Sequence, residues 1–309
     1  EVGKALVQHP LTKAVGFTGS LQGGRALFDL AAQRVVPIPV FAEMGSVNPV
    51  FILPQKLNSE AQGIAQMYAQ SITQSAGQFC TSPGVIVAIN SNELEVFKKT
   101  LAQQLLQVAP VKMLHDGIVK AFHSGRSKAL QTKGVELLTP VNNWDQALSL
   151  PTLAQTHAEF FIQNPLLHTE VFGPYCLLVT CNNESEMLQM AQAFEGQLTA
   201  SLMATEEEVK SNQQLVMAIQ NICGRIIFNG VPTGVQVALA MHHGGPYPAT
   251  TDSRFTAVGA DGIKRFARPL CYQNWNNSLL PDVLKNENGL GIWRTVNNNL
   301  TKEAISPTF

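Results

Sequence analysis

The sequence predicts an α/β protein whose mostly parallel sheets are flanked by helices. The main observation is alternation: short apolar runs of strand length recur between stretches whose apolar residues fall at helical spacing, as far as about residue 229. Length agrees. At 309 residues the chain can hold about two domains of roughly 150 residues each, with a core that buries about 75% of the unfolded surface.

The elements follow in order. A strand ending near Phe17 leads into a helix over residues 22–33, and "IPVFAE" (38–43) reads as the next strand. Residues 58–78 form a helix with Ala61, Ile64, Ala65, Tyr68 and Ile72 on one stripe. The run "GVIVAI" (84–89) reads as a buried strand. Asn92 is expected to cap a helix through Glu95, with Leu94, Phe97, Leu101, Leu105 and Val108 facing one way. Further strands are expected at 135–139, 159–162, 175–180, 198–203 and 225–229. Helices fall near 184–194 and 205–221, the second opening on Thr205 and Glu208 at capping-box spacing. From Gly230 the texture is loop-like, and the Asn-rich tail carries little periodicity.

Composition narrows the function classes. Charged residues are 14% of the chain, against an average of about 25%, which predicts surface hidden in subunit contacts. Net charge is −1 and the Lys and Arg residues are scattered, so no basic footprint for nucleic acid is present. No apolar run approaches the ~20 residues that span a bilayer. The opening "EVGKALVQHP" has neither an initiator Met nor a signal-peptide core and reads as the middle of something. Cys80, Cys176, Cys181, Cys223 and Cys271 are odd in number and form no CxxC. This argues against a disulfide framework or zinc site and for a reducing, cytoplasmic setting.

Four segments could carry chemistry. In "SAGQFCTSPG" (75–84), Cys80 stands where a helical pattern gives out into a turn. Backbone N–H groups without helical partners there could stabilise an oxyanion as a thiolate attacks a carbonyl, although a lone Cys is also a common small core residue. Glu43, in "FAEMGSVNP", ends a strand pattern and is either a plain strand-end carboxylate or a partly buried one that activates water. "FTGSLQGG" (17–24) joins strand to helix; its small residues let a phosphate approach a helix N-terminus, or it is an ordinary turn. In "TEVFGP" (169–174), Glu170 could accept from a ribose hydroxyl pair, or the segment is a surface loop. The adjacent His242 and His243 lack a third ligand at metal spacing and read as loop residues, so no metal site is expected.

In this order the segments resemble those of the aldehyde dehydrogenase superfamily, over roughly residues 1–275. "FTGSLQGG" is similar to the family's FTGSxxxG, "EMGSVNP" to its ELGGKSP, "GQFC" to its GQxC and "EVFGP" to its EVFGP, and Gly244-Gly245 sits where the family has a late Gly-Gly loop. Ser46 and Val47 depart from the glycine and lysine of the glutamate motif. The runs "AEMGSVNPVFILP", "GVQVALAMHHGGPYPATTD" and "RFARPLCYQN" look most like the subgroup of 2-oxoglutarate semialdehyde and bacterial fatty aldehyde dehydrogenases.

The resemblance implies a fold, a reaction and roles. It implies NAD(P)-dependent oxidation of an aldehyde, with a semialdehyde expected, through a thiohemiacetal and thioester on Cys80, and Glu43 activating the water that releases the acid. It implies cofactor contacts from Thr18, Gly19, Ser20, Gly24, Gly45, Glu170 and Phe172, with NAD or NADP as cofactor. It implies that residues 1–45 close the cofactor domain, 46–245 form the catalytic domain, 246–267 return to the cofactor domain, and 268–309 form an oligomerisation strand (near 268–274) and tail in a homodimer or homotetramer. The family's N-terminal half lies outside this sequence, so the chain alone is expected to be inactive. Rival readings are a CoA-acylating relative, disfavoured by Glu43, a non-catalytic structural relative, and a Cys–His hydrolase, which would need a His beside Cys80.

Overall fold

Two parallel sheets of unequal size organise the longer part of the chain. The structure is a computed structural model that describes residues 1–140, 145 and 147–306. The chain divides into two units, Glu1–Phe266 and Ala267–Phe309.

The first unit opens with α1 (Val2–Gln8), β1 (Val15–Thr18), α2 (Leu21–Ala32) and β2 (Val40–Glu43). β1 and β2 pair in parallel with Thr18 opposite Glu43, and Val7, Ala31, Val40, Ala42 and Met44 form a small core between helices and strands. The α2 helix begins at Ser20 because its hydroxyl accepts the Gly23 N–H at 3.2 Å, an ordinary N-cap.

The larger sheet follows: β3 (Val50–Ile52), α3 (Pro54–Thr73), β4 (Val85–Ile89), α4 (Asn92–Leu106), α5 (Asp116–Gln131), β5 (Glu136–Leu137), β6 (Thr152–His157), α6 (Ala158–Gln163), β7 (Tyr175–Cys181), α7 (Glu184–Ala193), β8 (Gln197–Met203), α8 (Glu206–Ser211), α9 (Gln213–Ile222) and β9 (Cys223–Phe228). Spatial order is β5-β6-β7-β4-β3-β8-β9, parallel except for β5. Both faces are covered, which is why the strands read as unbroken apolar runs. Val85 and Val87 pack with Phe122, Phe161 and Met187 on one side, while Ile86 and Ala88 pack with Ile64, Tyr68 and Phe97 on the other. Glu208 ties helices together at this sheet's edge. Its buried carboxylate closes the Thr205 capping box and also accepts the Gln55 N–H at 2.6 Å at the start of α3.

Several expectations are corrected. Residues 159–162 belong to a helix, α6, and the strand is the preceding segment, Thr152–His157. There polar Gln155 interrupts the apolar pattern because its side chain meets Lys98 and Glu136 at the sheet surface. The α3 helix starts at Pro54, in a first-turn position where proline fits. It ends at Thr73, and Ser75 and Ala76 then take left-handed φ of 51° and 59°. The cap of α4 is Ser91, whose hydroxyl accepts the Leu94 N–H at 3.1 Å, rather than Asn92. The expected helix over 205–221 breaks at Asn212 into two. Strand β3 and helix α5 were not anticipated.

In the second unit, β10 (Arg294–Val296) and β11 (Asn299–Thr301) form an antiparallel hairpin. Its turn residues Asn297 and Asn298 both have positive φ, 48° and 66°, which asparagine tolerates and a two-residue hairpin turn requires. Residues 268–274 form no strand within this chain, and a cross-subunit strand would pair only with its partner. The end of the expected tail, 307–309, lies outside the described residues. Among the described residues, no helix is long and apolar enough to cross a membrane.

One buried amide holds the loops of the larger sheet. Asn48 is fully buried with φ of 48°. Its Nδ2 donates to the Cys80 carbonyl at 3.0 Å and the Ser82 carbonyl at 2.9 Å, while its Oδ1 accepts the Ser46 and Thr199 hydroxyls, each at 2.9 Å. We expect Asn48→Ala to leave several buried polar groups without partners. At about 1–3 kcal/mol each, urea unfolding should show a loss of roughly 3 kcal/mol or more. A loss below about 1 kcal/mol would mean that water or loop movement replaces these bonds.

Candidate active site

Parallel pairing of β1 and β2 sets the first half of the site. Thr18 and Glu43 end neighbouring strands, and the Gly19 N–H donates to the Glu43 carbonyl at 3.0 Å. The chain returns to this edge late in its course: the Met44 N–H donates to the Ala249 carbonyl at 2.7 Å, and Glu43 bridges to Thr250. Between these contacts, Gly245 lies so close to β8 that a Cβ would stand 2.0 Å from the Gln197 carbonyl oxygen, so only glycine fits.

The second half comes from the starts of the larger sheet's strands. Gln197 opens β8, and its Oε1 accepts the Val47 N–H at 2.7 Å and the Ser46 hydroxyl at 3.0 Å. Ser46 Oγ also accepts the Leu198 N–H at 3.0 Å. The departure from the family's glycine at Ser46 is therefore built into the loop, and Val47 joins the core. Through Asn48 this loop grips the Cys80 turn.

Cys80, Glu43 and His243 converge. The Cys80 Sγ lies 3.5 Å from His243 Nε2, and the same nitrogen lies 3.1 Å from Glu43 Oε1. All three donor atoms fall within 4.8 Å of one another. Glu43 and His243 are buried and Cys80 is half-buried. Burial, and then the charge and hydrogen bond of Glu43, push the Cys80 thiol up to about 12. Its own backbone N–H lies against the sulfur and works the other way, favouring the thiolate.

Sequence reasoning missed His243. The His pair reads as loop because a partner two hundred residues earlier leaves no local spacing to detect. The one available signal was its place directly before the Gly-Gly turn. The rival hydrolase is also answered by geometry. A His does stand beside Cys80, but Cys80 and Glu43 share its Nε2, whereas an orienting acid in a Cys–His–acid arrangement must hold the other ring nitrogen. Among the described residues His243 Nδ1 is buried with no hydrogen-bond partner, and His168 stacks on Phe161 instead.

The expected cofactor residues divide. Ser20, Gly45 and Glu170, from three separate segments, line one cavity of about 590 Å³, together with Arg25, Gln197 and Tyr247. Gly45 is tight here too, for a Cβ would stand 2.8 Å from Glu170 Oε2. Glu170 is only partly covered as a residue, but its carboxyl is packed deep. That burial pushes it up to about 8, against the pull of the Ser46 N–H. Thr18 and Gly19 stand beside this cleft's strand ends without lining it. Gly24 faces away, where a Cβ would stand 2.6 Å from Met44 Sδ. Phe172 lines a much smaller cavity of about 20 Å³ with Ser46, Gly77 and Glu170.

These residues fit a dinucleotide. The N-terminus of α2 with its Ser20 cap opens into the cleft as an anion site, and a buried carboxyl waits for hydroxyl donors.

Comparison with known proteins agrees. Residues 1–247 match the aldehyde dehydrogenase family. The alpha-ketoglutaric semialdehyde dehydrogenase of Acinetobacter baylyi is 43% identical over 97% of this chain and 58% of that protein. The alpha-ketoglutaric semialdehyde dehydrogenase 2 of Azospirillum brasilense is 42% identical over 95% and 56%. The chain thus spans under three-fifths of the length of these curated relatives. Among solved structures, the betaine aldehyde dehydrogenase of Staphylococcus aureus superposes with a TM-score of 0.71 at 17% identity, over 86% of this chain and 52% of that one. A putative methylmalonate-semialdehyde dehydrogenase of Sinorhizobium meliloti, solved with NAD, gives 0.69 at 19% identity, over 86% and 54%. With the family matched across four-fifths of its length and the fold shared, this chain belongs to the aldehyde dehydrogenase family.

Proposed function

We propose that the protein carrying this chain oxidises an aldehyde to a carboxylic acid with NAD or NADP, and that its substrate is a semialdehyde such as 2-oxoglutarate semialdehyde. The observation that carries this reading is the meeting of Cys80, on the turn before β4, with Glu43, at the end of β2, beside a cleft lined by Ser20, Gly45 and Glu170. The substrate class rests on the names of the relatives at 43% and 42% identity.

The residues divide the work. Cys80 Sγ attacks the aldehyde carbon, and its proton has an acceptor in reach in the Glu43 carboxylate, with His243 Nε2 a second only in the tautomer whose proton sits on Nδ1. A thiol held near 12 must lose that proton as it attacks. The Cys80 N–H stands ready for the oxyanion of the thiohemiacetal. The nicotinamide cofactor supplies the hydride acceptor when bound in the cleft, where Ser20 and the α2 N-terminus meet pyrophosphate and Glu170 meets the ribose. Glu43 then activates the water that releases the acid from the Cys80 thioester, a role that disfavours a CoA-acylating reading. Supported by the free cysteines and the low charge of the chain, the reading places the protein in the cytoplasm as a homodimer or homotetramer, with the division at 45, 245 and 267 given above.

Three outcomes are expected in the intact protein. Cys80→Ala should abolish aldehyde oxidation while cofactor binding, read by fluorescence titration, persists; turnover near wild type would remove Cys80 as nucleophile. Glu43→Gln should leave a burst of about one NAD(P)H per site and slow the steady rate by about 100-fold or more. Because Glu43 raises the thiol, the same variant should also alkylate with iodoacetamide at a lower pH midpoint than wild type. An unchanged midpoint would show that the carboxylate does not act on the sulfur.

The third concerns Glu170. Its carboxyl is neutral below about 8, and a bound ribose hydroxyl pair favours the ionised acceptor. Cofactor affinity should therefore tighten as pH rises toward about 8 and then level off. In Glu170→Gln the same titration should be flat, and a slope equal to wild type would move the ribose contact elsewhere.

A further inference from the structure

We infer that Cys80, Glu43 and His243 form a binding site for a thiophilic divalent cation, Zn²⁺ in the first instance, which holds the nucleophile in a reversible inactive state. Three different ligand types from separate segments offer one atom each, and all lie within 4.8 Å of one another. The spacing suits a tetrahedral ion. With bonds of about 2.3 Å to sulfur and about 2.0–2.1 Å to nitrogen and oxygen, tetrahedral angles put sulfur and nitrogen about 3.6 Å apart and nitrogen and oxygen about 3.3 Å apart. The observed separations are 3.5 Å for Cys80 Sγ to His243 Nε2 and 3.1 Å for His243 Nε2 to Glu43 Oε1. The third edge, Glu43 to Cys80 Sγ, falls within the same 4.8 Å. A fourth position stays open for water, as in sites with three protein ligands.

The charge pattern points the same way. A thiolate beside a buried carboxylate is a like-charge pair. A divalent cation removes that repulsion and gives both anions a shared partner. Hydrogen bonding, by contrast, satisfies the group poorly. One Nε2 proton cannot serve sulfur and carboxylate fully at once, and His243 Nδ1 has no partner in either case. Binding is written as Cys80–SH plus M²⁺ giving Cys80–S–M⁺ plus one proton released to solvent, so no electron moves. Sulfur bound to the ion is not free to attack an aldehyde. The inactive state rests on the proposed aldehyde oxidation; the site itself does not.

The test uses the intact, reduced protein without aldehyde or cofactor. Titration with Co²⁺ should give a thiolate-to-cobalt charge-transfer band and intense four-coordinate visible bands, saturating at one ion per chain with about one proton released per ion. Zn²⁺ should displace the Co²⁺ and bleach both. Cys80→Ser should remove the charge-transfer band. His243→Asn should weaken affinity at least about 100-fold, beyond the roughly 10–100-fold typical of losing an outer partner. X-ray absorption of the Zn²⁺-loaded wild type should show one sulfur at about 2.3 Å with nitrogen or oxygen at about 2.0–2.1 Å, a readout that depends on no variant folding. A shell of nitrogen and oxygen only, a charge-transfer band that survives in Cys80→Ser, or equal affinity in His243→Asn would overturn the proposal. Aldehyde turnover should fall as the site fills and recover with a chelator. Turnover indifferent to a filled site would overturn the inactive state, whereas the cobalt spectrum in a protein that never oxidises aldehydes would leave the site standing and remove the proposed function.

Discussion

The buried side-chain amide of Asn48 is the constraint on which the site depends. Its donors hold the carbonyls of Cys80 and Ser82, and its acceptor holds hydroxyls from the Glu43 loop and from β8. Cys80 has no secondary structure of its own: it sits on a turn between α3 and β4. What fixes its height and direction is therefore a side chain from another loop, kept in a left-handed backbone conformation that asparagine adopts at low cost. Burial makes these bonds hard to exchange, because no water replaces them without opening the core.

The two sheets meet end to end at this point. Thr18 and Glu43 finish β1 and β2, while Cys80, Glu170 and Gln197 stand before or at the first residues of β4, β7 and β8. Open α/β sheets ordinarily bind ligands beyond the carboxyl ends of their strands. Here the smaller sheet obeys that rule and the larger one presents its amino ends. The cleft is thus a joint between two layers with opposite polarity toward it, which lets the Glu43 carboxylate from one face the Cys80 thiol from the other.

Much of this was legible in the sequence where chemistry is local. Cys80 on its turn, Glu43 at a strand end and Ser20 at a helix start each carry a short-range signature. The seven-stranded sheet was legible in its longer apolar strands, as at Val85–Ile89, but not in β3, which is only three residues long. The misreadings share a cause. Gln155 makes a sheet-surface contact inside β6 and hid that strand, while Phe161 and its neighbours resembled a strand although they make one helical turn against the core. His243 and Gln197 could not be found because their partners lie 200 and about 150 positions away, and only folding brings such pairs together.

The Ser46 hydroxyl has a further consequence for how this loop can change over generations. It shares Gln197 Oε1 with the Val47 N–H and shares Asn48 Oδ1 with the Thr199 hydroxyl. A change to the glycine of related loops would remove the hydroxyl whose one proton the two acceptors share and leave the Leu198 N–H without its acceptor, while a change at Gln197 alone would leave the hydroxyl only Asn48 Oδ1. Neighbours in one network are not additive. Positions 46 and 197 are therefore expected to drift as a pair, so that a graft of this loop into a relative succeeds only when β8 brings its glutamine along.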